Sequence, residues 1–150
     1  MSYLFDTSSI INIIKHLGKN AINFLRNNYV LDLTIYEIGN VIWKETVLLR
    51  YLTENEASTM YEDVLWTINN YMNIIRPRSP EMVLKLAMKI RLAYYDVVYV
   101  TTASEEDLTL VTDDKRLIKK IDDNRRAIIE LLRKDVVVKS SDAFIGGSKQ

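Results

Sequence analysis

The feature that most limits what this chain can fold into lies at its start. A run too short for a helix, Ser2-Tyr3-Leu4-Phe5, is closed by Asp6-Thr7-Ser8-Ser9 and followed at once by Ile10-Ile11-Asn12-Ile13-Ile14. That order reads as a buried strand, a turn and the N-terminus of a helix. Asp6 then stands at the carboxyl end of a central strand, where open α/β sheets place their ligand crevice. Asp, Thr and Ser are also the ordinary side chains for capping a helix, so the same carboxylate has a purely structural reading.

The rest of the chain alternates strand and helix. Residues 10–15 and 21–26 form two helical pieces broken around Gly18, and 29–33 a second strand. Ile38, Val41, Ile42, Leu49 and Leu52 keep helical spacing, with Thr34 and Glu37 as a capping box at the start. Thr53 and Glu56 make a second box ahead of the stripe Ala57, Met60, Tyr61, Val64, Leu65 and Ile68, and the two helices are expected to pack as a hairpin. A short strand over 71–75 stops at Arg76-Pro77-Arg78. Ser79-Pro80-Glu81 opens a helix with Val83, Leu86, Ala87 and Ile90 on its buried side. Over 97–102 the β-branched and aromatic content favours a strand. A strand over 108–112, helices over 117–121 and 125–132, a strand over 135–139 and a frayed tail over 146–150 complete the pattern. Such alternation predicts a three-layer α/β/α fold with a mostly parallel central sheet of about five strands. With 150 residues and no Pro/Gly/Ser-rich linker, one domain over 1–150 is expected.

Composition removes several kinds of chemistry. Twenty acids balance twenty bases, so any polyanion has to be held by a local patch. There is no Cys, which excludes disulfide frameworks, thiolate zinc sites and cysteine nucleophiles, and the lone His16 reads as a helix residue rather than a ligand. Four glycines, none in a phosphate-cradling loop, argue against the P-loop and dinucleotide folds. An acyl-transfer triad lacks its parts. No apolar run approaches transmembrane length and the start lacks a basic segment before an apolar one, so a cytoplasmic protein is expected.

The acids are what remain. Asp114 repeats the setting of Asp6, just past an apolar strand and at a helix start, with Asp113 competing for the cap. If the two strands are central and adjacent, two carboxylates meet at one sheet edge. Asp96 lies inside an apolar and aromatic stretch, where an unpaired charge is costly and calls for a cation, a hydrogen-bond network or a raised pKa. A cluster of hard oxygen ligands is the chemistry of magnesium or manganese.

Taken in order, Tyr3-Leu4-Phe5-Asp6-Thr7-Ser8, Thr34-Ile35-Tyr36-Glu37-Ile38, the stretch Tyr95-Asp96-Val97-Val98-Tyr99-Val100-Thr101-Thr102-Ala103, and Leu110-Val111-Thr112-Asp113-Asp114-Lys115-Arg116-Leu117 resemble a PIN-domain nuclease. The type is that of the toxin ribonucleases of VapBC-like toxin–antitoxin pairs. The resemblance spans nearly the whole chain and implies a metal-dependent endoribonuclease. By it, Asp6, Glu37, Asp96 and Asp114 match the acidic positions, and Ser8 and Thr112 the supporting hydroxyls. Asp114 is preferred to Asp113 because the pattern is Thr, any residue, Asp. Asp96 is implied to lie on a helix, against local propensity. The helical stretch from Asp114 through Leu132 is longer than in many small relatives.

One or two Mg2+ or Mn2+ ions are implied as cofactors, with Asp6 and Asp96 as direct ligands and Glu37 and Asp114 completing the site. Lys115, Arg116, Lys119, Lys120, Arg125 and Arg126 are candidate phosphate contacts, or else a solvated helix face. A homodimer is expected, and an antitoxin is a possible partner. Two other readings stand beside this one: a PIN-like module that binds RNA or protein without cutting, and a small regulatory domain whose acids are caps.

Overall fold

In a computed structural model, which describes residues 1–146, the opening run forms strand β1, Tyr3–Phe5. Leu4 and Phe5 are fully buried on opposite faces, as the pleat requires. Asp6 caps the next helix, α1 (Thr7–Leu17), by accepting from the Ser9 amide. Gly18 ends α1 with a positive φ of 53°, a conformation that glycine adopts at little cost. A 3-10 turn, Gly18–Ala21, and the short α2 (Ile22–Leu25) then lead to β2 (Tyr29–Leu31).

Strand β2 passes directly into α3 (Asp32–Trp43), which continues through a π-helical turn, Lys44–Leu48, toward α4 (Glu54–Tyr71). The Thr53–Glu56 capping box is present. The one expected from Thr34 and Glu37 is not: α3 starts at Asp32 with Leu31 at the cap position, which carries Thr34 inside the helix and fully buries it. Its hydroxyl and the Glu37 carboxylate are turned to other partners. The expected hairpin forms, with α3 and α4 so close at Gly39 that a Cβ there would lie 3.2 Å from the Tyr61 hydroxyl.

The chain continues with β3 (Asn73–Ile75), α5 (Pro80–Ile90), α6 (Tyr94–Glu105), β4 (Thr109–Val111), α7 (Lys115–Asp123), α8 (Arg125–Leu132), β5 (Val138–Lys139) and α9 (Asp142–Ile145). Beyond Gly146, the tail expected to fray lies outside the described residues.

The five strands form one parallel sheet in the order β3-β2-β1-β4-β5. Strand β1 is central and pairs Tyr3 with Thr109, Leu4 with Leu110 and Phe5 with Val111. The chain builds outward from β1 to β3, then returns to lay β4 on the other side, so the order reverses between β1 and β4. Helices α1–α4 and α9 cover one face around Phe5, Ile10, Ile38 and Ile68. Helices α5–α8 cover the other, and the long stretch after Asp114 belongs to this layer through buried Leu117, Ile121 and Ile128.

Segment 97–102 lies in α6, as the family resemblance implies and local propensity does not. Every residue from 97 to 104 is buried, so the helix has no polar face to betray its period, and its valines and threonines look like a strand. The buried hydroxyls of Thr101 and Thr102 find no partner among the described residues. A buried hydroxyl left unpaired costs about 1–3 kcal/mol, and valine has nearly the same shape. Thr101→Val and Thr102→Val are each expected to raise the urea midpoint at unchanged m, by the equivalent of about 1 kcal/mol; a lowered midpoint would contradict this account of α6.

Candidate active site

The turns that follow β1 and β4 are stitched together. The Asp6 amide donates to the Val111 carbonyl at 3.1 Å, and Ser9 Oγ lies 3.0 Å from the Asp6 carbonyl and 2.9 Å from that of Val111. Ser8 Oγ accepts from the Asp113 amide at 3.1 Å and donates to Asp6 Oδ1 at 2.9 Å. Asp6 is therefore held in a nest of donors with only 5% of its surface exposed. Burial pushes its carboxyl above the ordinary aspartate value, against the pull of hydrogen bonds from Thr112, the Ser9 amide and Ser8. The Ser8 and Thr112 hydroxyls thus both lie in hydrogen-bonding contact with Asp6.

Asp114 caps α7, its Oδ1 accepting from the amides of Arg116 at 3.0 Å and Leu117 at 3.2 Å, while its own amide donates to Thr112 Oγ1 at 3.1 Å. Asp113 is spent elsewhere: it accepts from Asn12 Nδ2 at 2.8 Å and the Ser141 amide at 2.7 Å, tying α1 and the C-terminal segment to β4. Asp96 sits in the first turn of α6, half-buried, and meets Arg116 Nη2 at 3.3 Å. Burial raises its carboxyl; the Arg116 charge lowers it, and the nearby charge of Asp114 raises it again. Glu37, in the second turn of α3, accepts from Thr7 Oγ1 and from the Tyr99 hydroxyl.

One cavity of about 920 Å³ gathers these groups, with Asp6, Ser8, Glu37, Asp96 and Asp114 all on its wall. The expected cations do not join it. Arg116 is paired with Asp96, Lys119 with Asp123 at 2.8 Å, Arg125 with Asp122 and Asp135, and Arg126 with Glu130. Lys115 and Lys120 have no ionic partner among the described residues. His16 is exposed and reaches only the Asn12 carbonyl through Nδ1, as a helix residue should.

Sequence reasoning missed several wall residues. Lys15 and Glu45 form an ion pair of 2.9 Å beside the acids. Tyr36 and Tyr95, 74% and 63% exposed, each immediately precede an acid. Tyr99 lies three residues after Asp96, on the same helical face, and that spacing was the available signal.

Hard carboxylate oxygens around one cavity are the donor type that Mg2+ and Mn2+ prefer. Among the described residues, however, no three His, Asp or Glu side chains are already set as a metal cluster. The donors fit such an ion by chemistry and by shared cavity, and Asp96 is turned to Arg116 rather than to its fellow acids.

Residues 3–124 match the PIN domain family model, and the chain belongs to that family. It is 32% identical over 120 residues to exonuclease VapC9 of Pyrobaculum aerophilum, covering 80% of this chain and 86% of that protein. It is 33% identical over 107 residues to ribonuclease VapC3 of the same organism, covering 69% and 78%. The fold is similar to the crystal structure of PAE2754 from Pyrobaculum aerophilum, with a TM-score of 0.73 at 24% identity over 100% of this chain and 97% of that one. It is also similar to FitAB bound to an IR36 DNA fragment, with a TM-score of 0.56 at 14% identity over 93% and 94%.

The raised pKa of Asp6 has a definite sign in stability. The folded chain holds that proton more tightly than the unfolded chain, whose value is near 3.8. Stability from this group is therefore greatest at low pH and is lost as pH rises from about 3.8 through the folded value. Asparagine caps a helix as well as aspartate and carries no charge. Without metal, Asp6→Asn is expected to melt above wild type at pH 7, with the gap closing toward pH 4; a variant that melts lower at pH 7 would show that Asp6 stabilises the fold as an ion.

Proposed function

We propose that the chain is a divalent-metal-dependent endoribonuclease, hydrolysing RNA phosphodiester bonds, and the toxin of a toxin–antitoxin pair. The observation that carries this reading is the meeting of Asp6, Glu37, Asp96 and Asp114 on one cavity at the β1/β4 reversal, in a PIN-family chain. The VapC9 and VapC3 relatives, named as an exonuclease and a ribonuclease, support nuclease chemistry.

Asp6 and Asp96 would hold the ion, Mg2+ or Mn2+, with Glu37 and Asp114 completing the set. A bound ion would supply what carboxylates alone cannot, a positive potential for the phosphate, an acidified water and a partner for the charge on the departing oxygen. Ser8 and Thr112 keep Asp6 oriented. Asp96 would be one of the residues to hold the ion, and Arg116, which pairs with Asp96, is a cation beside the acids that would meet a substrate phosphate. Lys115 and Lys120 extend that positive edge along α7, and Lys119 would join it only by leaving Asp123. Tyr36 and Tyr95 offer exposed rings at the cavity mouth, where unpaired bases can stack.

A homodimer fits the apolar side chains left exposed at the end of α3 and beyond, Trp43, Val47, Leu48, Leu49 and Tyr51. An antitoxin is a further proposed partner, and the cytoplasm the proposed site of action on RNA. Among the described residues no helix is long and apolar enough to cross a membrane. The rival module that binds without cutting draws its support from the Asp96–Arg116 pair and the unassembled acids.

Cleavage of a circular RNA separates these readings, since only an endonuclease opens a circle. Activity is expected with Mg2+ or Mn2+, none in excess EDTA, and a loss on the order of a hundredfold or more in Asp6→Asn and Asp96→Asn. An intact circle, or cleavage indifferent to EDTA, sinks the proposal. In an inactive Asp6→Asn background, Tyr36→Ala and Tyr95→Ala should each weaken binding of single-stranded RNA by roughly tenfold while the Phe variants bind as before, because stacking is worth about 1–3 kcal/mol per base; affinities unchanged in the Ala variants would take the tyrosines out of the substrate path.

A further inference from the structure

The Glu37 carboxylate receives two hydroxyl groups on the same oxygen. Tyr99 Oη donates to Oε1 at 2.5 Å and Thr7 Oγ1 donates to it at 3.1 Å, while Thr34 Oγ1 lies 2.7 Å from Tyr99 Oη. An ionised carboxylate only accepts, and a phenol has one hydrogen to give. Tyr99 commits that hydrogen to Glu37, so Thr34 has to donate to Tyr99. The relay therefore runs one way, from Thr34 through Tyr99 to Glu37.

Thr34 and Tyr99 are both buried, so water does not compete, and linked hydrogen bonds of this kind reinforce one another. Burial, and then the Glu37 charge, push the phenol far above its usual range and keep it a donor. The partners come from both helical layers, since α6 lies on one face of the sheet while α1 and α3 lie on the other. Tyr99 reaches over the carboxyl edge of the strands to meet them. With Oε1 occupied twice, Oε2 has no partner among the described residues.

We propose that Tyr99 is a positioning residue, whose hydroxyl, backed by Thr34, pins Glu37 Oε1 and presents Oε2 to the cavity as a preset donor for a divalent ion. The inference rests on the metal reading of the site given above. Its physical content is preorganisation: a glutamate free to sample rotamers has to be ordered when the ion arrives, and a pinned one does not.

Tyr99→Phe removes the hydroxyl and keeps the ring. In calorimetric titrations of the full chain with Mn2+, this variant is expected to bind about 10- to 100-fold more weakly than wild type, and Thr34→Val to lose less. In a Glu37→Gln background the same Tyr99→Phe change should weaken Mn2+ binding no further, because the group it orients has gone. A general loosening of the fold would instead add in both backgrounds. Equal losses in both backgrounds, or a Tyr99→Phe variant that binds as wild type does, overturn the inference, and Thr34→Val carries the same cycle if Tyr99→Phe fails to fold.

Metal-free crystal structures give a readout independent of the ion, with Glu37 expected in one rotamer in wild type and in several in Tyr99→Phe. A wild type that takes up no Mn2+, with Glu37 loosened in the variant, removes the metal reading and leaves the pinning in place. Glu37 unmoved in the variant removes the pinning itself.

Discussion

The parallel pairing of Tyr3–Phe5 with Thr109–Val111 is the contact on which the rest depends. More than a hundred positions separate the two strands in the chain, yet their register places Phe5 beside Val111, so Asp6 and Thr112 leave the sheet side by side. The backbone bond from the Asp6 amide to the Val111 carbonyl carries the pairing one residue beyond the strands. Serines 8 and 9 then lock the two turns together. Everything that makes the edge chemically interesting, a buried carboxylate and a second acid two residues past Thr112, follows from that register. The reversal of strand order at the same point opens the crevice above it, since the connections from β1 and β4 leave toward opposite faces of the sheet.

Several like charges at one edge need a counterweight, and the helices supply part of it. Asp6 caps α1, Asp114 caps α7, and Asp96 lies in the first turn of α6, so three of the four acids stand at helix N-termini, where the backbone amides present partial positive charge. Capping and metal binding, which compete as explanations when only the sequence is read, are therefore compatible in the structure. At Asp114, which lines the cavity, the cap uses Oδ1 and leaves the other oxygen without a hydrogen-bond partner among the described residues. Arg116 adds a charge to the balance by pairing with Asp96. The same arrangement explains why Asp113 is not an equivalent of Asp114: both its oxygens are committed to holding α1 and the C-terminal segment against β4.

Much of the architecture was legible because periodicity and punctuation report burial directly. The Val83, Leu86, Ala87 and Ile90 stripe, the Thr53–Glu56 box, the break at Gly18 and the apolar runs at β1 and β4 all behave as their local patterns imply. Two places did not. From Val97 to Ser104 helix α6 is enclosed on all sides, which erases the amphipathic period and leaves mainly β-branched content, a signal that speaks for a strand. At the start of α3, Thr34 and Glu37 carry the spacing of a capping box, but β2 gives way to helix at Asp32 and both side chains are drawn into contact with Tyr99. Local hydrogen bonding lost to a tertiary partner that lies 65 positions away from Thr34.

The amino-acid sequence by itself determined the alternation of elements, the absence of thiol and phosphate-loop chemistry, and the identity of the acids at strand ends and helix starts. These are short-range properties, set by neighbours within a few residues. Only the tertiary structure decided that β1 and β4 are adjacent, that Asp96 faces Arg116, and that Lys119, Arg125 and Arg126 pair with acids outside the cavity. It also decided that Tyr99, whose sequence signal was only its spacing from Asp96, becomes the bridge between the two helical layers. Hydrogen-bond partners and desolvation depend on which surfaces meet after the chain has crossed the sheet, and no local pattern records that.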